Sequence, residues 1–201
     1  MPGLKTFFCK DDYRLYLELM ADACRKAGTE VWAYCLMPNH VHMVMVPDHC
    51  DGLRAALAES HRRYTRHINL SHGWRGHLWQ ERFFSVPMSE SHLYRAVRYA
   101  ERNPVTADLC QRPEHWTWSS ARAHFEARDD ILVRVAPMLT RVTDWQTFLA
   151  QVDKTGVVGA KLEKHLRTGR PPDDPDFLDY VELMTGRRLR AQKPGPKTSR
   201  K

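Results

Sequence analysis

Two apolar runs, rich in Val, Trp, Tyr and Met, stand on either side of Met37-Pro38-Asn39, and this arrangement constrains the chain more than any other feature. Residues 30–36 have the β-branched and aromatic content of a strand, Pro and Asn are turn formers, and residues 40–46 read as a second strand that Pro47 closes. So short a connection predicts an antiparallel hairpin. Side chains alternate across a strand, so His40 and His42 share one face while Val41, Met43 and Met45 face the other way into a core. A hairpin alone does not hold in water, so the rest of the chain must supply the cover.

The cover is predicted to be helical. Residues 11–26 space Tyr13, Leu17, Met20 and Cys24 at helical intervals before Gly28, and a second helix is expected from Asp51 to about Asn69, with Leu53, Ala56, Leu57 and Tyr64 inward. Residues 71–80 read as an ordered loop and 81–87 as a further strand. Residues 89–102 read as a helix started by a serine and ended by Pro104. This gives an α+β layout with helices on one face of an antiparallel sheet. Beyond Trp118 the apolar signal is confined to short segments at 131–135 and 145–149, followed by helical patterns at 158–166 and 176–183. From Gly186 onward the chain carries seven Lys or Arg and no acid, which reads as a flexible basic tail.

Composition narrows the function classes. With 201 residues and 42% hydrophobic content the chain can bury a core, and its net charge of +7 points to an anionic partner. Five cysteines (Cys9, Cys24, Cys35, Cys50 and Cys110) at irregular spacing, with no CxxC pair, argue against a disulfide framework and for reduced thiols. The first residues contain no apolar secretion signal, and no apolar run reaches the roughly 18 residues that read as a membrane span. The expectation is a cytoplasmic protein.

Two imidazoles side by side on one strand can ligate one divalent ion. Cys35, across the hairpin, would extend the set toward zinc, although no fourth ligand is evident. The other reading is a Mg²⁺ or Mn²⁺ site with an oxygen ligand from elsewhere and positions left for phosphate oxygens. On the 89–102 helix, Tyr99 and Asn103 are one turn apart and share a face. A tyrosine oxygen can attack a phosphodiester and hold the strand end as an ester, which conserves the bond energy for rejoining. Tyr94 and Tyr64 compete for that role.

Between residues 54 and 82 stand Arg54, Arg62, Arg63, Arg66, Arg75 and Arg82 against only Glu59 and Glu81, interleaved with Tyr64, Trp74, Trp79 and four histidines. Arginine forks suit phosphates and exposed rings stack on unpaired bases. Arg62, Arg63 and Arg66 are expected to reach phosphate, while Trp74 and Trp79 serve either as core or as stacking surfaces.

The segment Trp32-Ala-Tyr-Cys-Leu-Met-Pro-Asn-His-Val-His-Met-Val-Met-Val-Pro47 resembles the metal-binding motif of the REP-associated tyrosine transposases, relatives of the single-tyrosine HUH transposases. Ala58-Glu-Ser-His-Arg-Arg-Tyr-Thr-Arg-His-Ile-Asn69, Gly76-His-Leu-Trp-Gln-Glu-Arg-Phe-Phe-Ser85 and Arg98-Tyr-Ala-Glu-Arg-Asn-Pro-Val105 are similar to further segments of that family, as are Thr168-Gly-Arg-Pro-Pro and Gly186-Arg-Arg-Leu-Arg. The resemblance implies a ferredoxin-like HUH nuclease core over residues 1–125, a small helical extension over 126–185 and a basic tail over 186–201. It implies a bacterial enzyme, at the nucleoid when bound to DNA, that cuts and rejoins hairpin-forming single-stranded DNA such as REP-like palindromes through a 5′-phosphotyrosine. Tyr99 takes the nucleophile's place. His40, His42 and Asn103 take those of the ligands to Mg²⁺ or Mn²⁺, while Arg62, Arg63, Arg66, Arg75, Trp79 and Arg82 are expected to contact DNA. A monomer is expected, with a dimer as the alternative.

Family members usually carry a strand and an Arg-Gly-Asn-rich segment ahead of the position of Phe7-Phe8. The expectation is therefore a core whose first strand, the neighbour of the histidine strand, is missing. Two other readings stand beside the enzyme: a nucleic-acid-binding protein of the same descent without catalysis, and a small zinc-stabilised structural protein.

Overall fold

The computed structural model describes residues 5–79, 83–151 and 175–190. The expected helical segment at 158–166, most of the basic tail and Arg82 lie outside the described residues.

The hairpin forms as the sequence predicts. Strands β1 (Thr29–Met37) and β2 (His40–Pro47) pair antiparallel, with Cys35 opposite His42, Leu36 opposite Val41 and Met37 opposite His40. A bulge between Val31 and Ala33 inserts Trp32 and changes the phase of the strand, so that Val31 joins Tyr34 and Leu36 on one face. Helices α1 (Lys10–Lys26) and α2 (Gly52–His72) cover that face. Tyr16, Met20, Leu36, Tyr64 and Ile68 are fully enclosed there. Burying side chains of this size contributes about 1.5–3 kcal/mol each.

The α+β class is the expected one, but the helices do not gather on one face. Helix α3 (Glu90–Thr106) packs on the opposite side, where Ala33 and Val44 meet Ala96 and Val97. The physical reason lies in β1, whose residues from Ala33 to Met37 are all buried. A strand apolar on both faces needs cover on both. Met138, Trp145, Phe148 and Leu149 close the same cluster, with a short α4 (Ala121–Phe125) preceding the two helices that carry them, α5 (Ala136–Leu139) and α6 (Trp145–Ala150). Residues beyond 125 thus help to enclose α3. Farther on, α7 (Pro175–Thr185) completes the described helices.

Two expectations need correction. Helix α3 does not stop before Pro104 but runs on to Thr106, with Pro104 buried inside it. The ring removes only its own N–H, and the N–H of Ala107 still bonds the carbonyl of Asn103 to finish the turn. Residues 83–87, expected as a strand, are irregular, because among the described residues they pair with no other strand.

The far edge of β1 is not left open. Leu36 N–H donates to Trp118 O, Ser120 N–H to Tyr34 O, Arg134 N–H to Val31 O, and the Trp116 indole to Leu36 O. Strand β2, which carries the histidines, has β1 as its one sheet neighbour among the described residues.

Candidate active site

Four side chains singled out in the sequence come together at the turn end of the hairpin. His40 and His42 project from β2 with their Nε2 atoms 2.9 Å apart and their rings edge to face. Helix α3 brings Asn103 Nδ2 to 3.2 Å from His42 Nε2, and sets the Tyr99 ring 5.2 Å, centroid to centroid, from the His42 ring. One turn of helix separates Tyr99 from Asn103, so both can face the same strand while Val97, Ala100 and Pro104 turn inward.

The competing tyrosines are placed elsewhere. The hydroxyl of Tyr64 is buried and donates to Thr6 O at 2.8 Å, and burial holds the phenol well above its ordinary pKa. The Tyr94 hydroxyl lies 3.3 Å from Glu90 Oε1, and its ring meets Phe148 rather than the histidines.

The protonation pattern of the pair is informative. Asn39 Oδ1 lies 2.7 Å from His40 Nδ1, so that nitrogen carries the proton and His40 Nε2 keeps its lone pair. In the observed amide orientation Asn103 donates to His42 Nε2, which must then also carry a lone pair. Turning the amide over offers its oxygen instead and brings a third electron-pair donor to the same point. In the first orientation, with both rings neutral, two imidazole lone pairs meet at 2.9 Å and a cation or a proton between them would relieve the clash; in the second, His42 Nε2–H can donate to His40 Nε2. Burial, reinforced by His40, pushes the His42 pKa down to about 3, so its imidazole is neutral at neutral pH.

The donor set fits a divalent ion. With metal–ligand bonds of about 2.0–2.1 Å, two cis ligands at a right angle stand about 2.9 Å apart. Cys35 does not extend the set. Its thiol is fully buried, faces Met37 Sδ at 3.7 Å, and is raised by burial far above the range in which a thiolate forms. Among the described residues no group of three His, Cys, Asp or Glu could hold a metal, and the Asn103 amide stands beside the pair as a further donor.

Helix α3 is fixed to the rest of the protein by a contact that sequence reasoning misses. Glu101, between Tyr99 and Asn103, is completely buried. Its Oε1 accepts from Ser120 Oγ at 2.6 Å and faces His124 Nδ1 at 2.7 Å, while Oε2 accepts from Trp145 Nε1 at 2.9 Å. Arg98 and Arg102 donate to the carbonyls of Phe148 and Leu149 and so satisfy the C-terminal end of α6. The sequence signal for Glu101 is an acid lying in phase with Val97 and Pro104 on the inward stripe of α3.

The residues expected to contact DNA do not form one group. Arg62 pairs with Glu59 on its own helix and Arg63 reaches across to Asp22 on α1, whereas Arg66 and Arg75 are exposed and enter no ion pair among the described residues. Trp79 is packed rather than free, stacked at 4.1 Å on His61 and set against the first core cluster. Trp74 is the exposed tryptophan of the pair. No helix among the described residues is long and apolar enough to cross a membrane.

Residues 5–103 match the family model described as "Transposase IS200 like", a span that begins at α1's lead-in and ends on Asn103. No curated protein and no solved structure matches the chain. A match to a transposase family implies DNA as the partner and points to transposition as the process. The segment that carries His40, His42, Tyr99 and Asn103 thus matches the IS200-like transposase family.

Proposed function

We propose that the protein cleaves and transfers single-stranded DNA through a covalent tyrosine intermediate, with Tyr99 as nucleophile and His40, His42 and Asn103 as ligands of a divalent metal. The observation that carries this reading is the approach of the His40 and His42 Nε2 atoms to 2.9 Å beside the Tyr99 ring. Tyr99 Oη attacks phosphorus, the P–O3′ bond breaks, and the phenolic proton passes to the departing 3′-hydroxyl. The DNA stays attached by its 5′-phosphate. Attack by a different 3′-hydroxyl reverses the step and completes transfer without an external energy source.

Mg²⁺ or Mn²⁺ bound at the pair would supply positive charge to polarise the scissile phosphate. Asn39 fixes the tautomer of His40 and β2 fixes the spacing of the two rings. The Glu101 contacts set the rotation of α3 about its axis, and with it the approach of Tyr99. Hairpin-forming strands of the REP type are the substrate that the sequence resemblance implies, and the chain is taken to act as a monomer.

The test is incubation with labelled single-stranded hairpin DNA and Mn²⁺, followed by denaturing electrophoresis. A shifted covalent species is expected from the wild-type protein and from Tyr94→Phe, and none from Tyr99→Phe. Undiminished adduct from Tyr99→Phe would overturn the assignment. DNA binding without adduct under any divalent metal would favour the non-catalytic binding protein.

A further inference from the structure

We propose that Phe8, His72 and Trp74 form a stacking platform for unpaired bases of the DNA strand that enters the candidate active site. The proposal takes its ligand from the single-stranded DNA reading above but does not depend on the tyrosine chemistry.

The platform is built by the end of α2. Gly73 takes a left-handed conformation with φ of 65°, which ends the helix and turns the chain back on itself. Trp74 N–H donates to Asn69 O at 2.8 Å, and the Asn69 side chain donates to Gly76 O at 2.9 Å, so both sides of the bend are tied down. Trp74 is thereby laid on His72 at 4.5 Å with 22° between planes, and Phe8 abuts both rings at 4.7 and 5.4 Å. One face of the indole is spent on His72, yet 49% of Trp74 remains accessible. A large apolar ring held rigid and half exposed has paid its ordering entropy before any ligand arrives. Trp79 shows the contrast, since its ring is enclosed by His61 and the core.

Two further observations point to a nucleic acid strand. No Asp or Glu occurs from Arg66 to Trp79, and Arg66 and Arg75 in this stretch are exposed, as is Lys5 shortly before Phe8. Bases would stack on the aromatic surface while these cations face phosphates. The platform is also tied to the site. Thr6 and Phe7 both donate backbone N–H groups to Pro38 O, at 2.8 and 3.2 Å. Pro38 lies two residues before His40, and Phe7 directly precedes Phe8. These bonds tie the segment that carries Phe8 to the turn that leads into His40 and His42.

The experiment measures binding of a fluorescent oligodeoxythymidylate to the full chain carrying Tyr99→Phe, so that no cleavage intervenes. Trp74→Ala, whose exposed position spares the core, is expected to weaken binding roughly five- to a hundredfold, with Trp74→Phe restoring most of it. For an abasic strand of equal length the Trp74→Ala protein and its parent should bind alike, since only bases stack. The salt dependence should keep its slope in Trp74→Ala and become shallower by about one in Arg75→Ala. Equal affinity of Trp74→Ala and parent for the thymidylate strand would overturn the proposal. So would an equal loss on the abasic strand, or no binding of either strand by the parent. Each of these results leaves the covalent chemistry of Tyr99 to be decided by adduct formation alone.

Discussion

Asn103 Nδ2 lies 3.2 Å from His42 Nε2, although 61 residues separate the two in the chain. The contact joins the strand that carries the imidazoles to the helix that carries the tyrosine, so the position of Tyr99 is coupled to the histidine pair. Asn103→Ala should therefore lower Mn²⁺ affinity about 10- to 100-fold, the usual effect of losing a group that orients or completes a site. Isothermal titration would measure it. Asn103→Asp, which adds a charged oxygen, should bind Mn²⁺ at least as tightly as wild type. With two imidazoles in the set, Mn²⁺ should also saturate the wild-type site at lower concentration than Mg²⁺. Equal Mn²⁺ affinity in wild type and Asn103→Ala would remove Asn103 from the ligand set.

Glu101 holds α3 from behind. Its carboxylate is shared by Ser120, His124 and Trp145, all closed off from solvent. Glu101→Ala would strand three buried polar groups and should cost several kcal/mol, about 1–3 kcal/mol for each group left without a partner. Urea unfolding followed by far-UV circular dichroism would measure the loss. A destabilisation below about 1 kcal/mol would mean that these groups find other partners.

His61 provides a pH signature. It lies 3.0 Å from the Tyr16 hydroxyl and stacks on Trp79, and burial pushes its pKa down to about 4. Between about pH 4 and the ordinary value near 6.5 the unfolded chain binds a proton there that the folded chain does not. The contribution of His61 to stability is thus full above about 6.5 and falls as the pH drops toward 4. His61→Gln should flatten that part of the stability curve, measured as Tm against pH, while an unchanged slope would contradict the assignment.

The arginines of α2 should not contribute equally to DNA binding. Arg62 and Arg63 face Glu59 and Asp22, whereas Arg66 is exposed and forms no ion pair among the described residues. Arg66→Ala should reduce the salt slope of binding by about one. Arg62→Ala and Arg63→Ala should change it less, because part of their charge is already compensated. Equal slopes for the three variants would show that the ion pairs open on binding.

Much of the candidate site is legible in the amino-acid sequence. His40 and His42 fall on one face because strands have a period of two, and Tyr99 and Asn103 share a face because helices have a period near four. Local rules suffice for both. Which partner each group meets is not a local matter. The side of the sheet taken by α3 depends on β1 being apolar on both faces, and the bulge at Trp32 alters its phase. Trp74 and Trp79 look alike in sequence, and only the left-handed Gly73 and the position of His61 send one to the surface and the other inward. The phase of Glu101 points it inward, but its partners are not legible locally, because Ser120, His124 and Trp145 arrive from a distant part of the chain.

Whether Tyr99 forms the bond to DNA is decided by mass spectrometry of the trapped complex. After reaction with hairpin DNA and Mn²⁺, nuclease trimming and proteolysis, the expected product is a peptide in which Tyr99 carries a 5′-nucleotide phosphate. A nucleotide mapped to Tyr94, Tyr64 or any other residue would contradict the assignment.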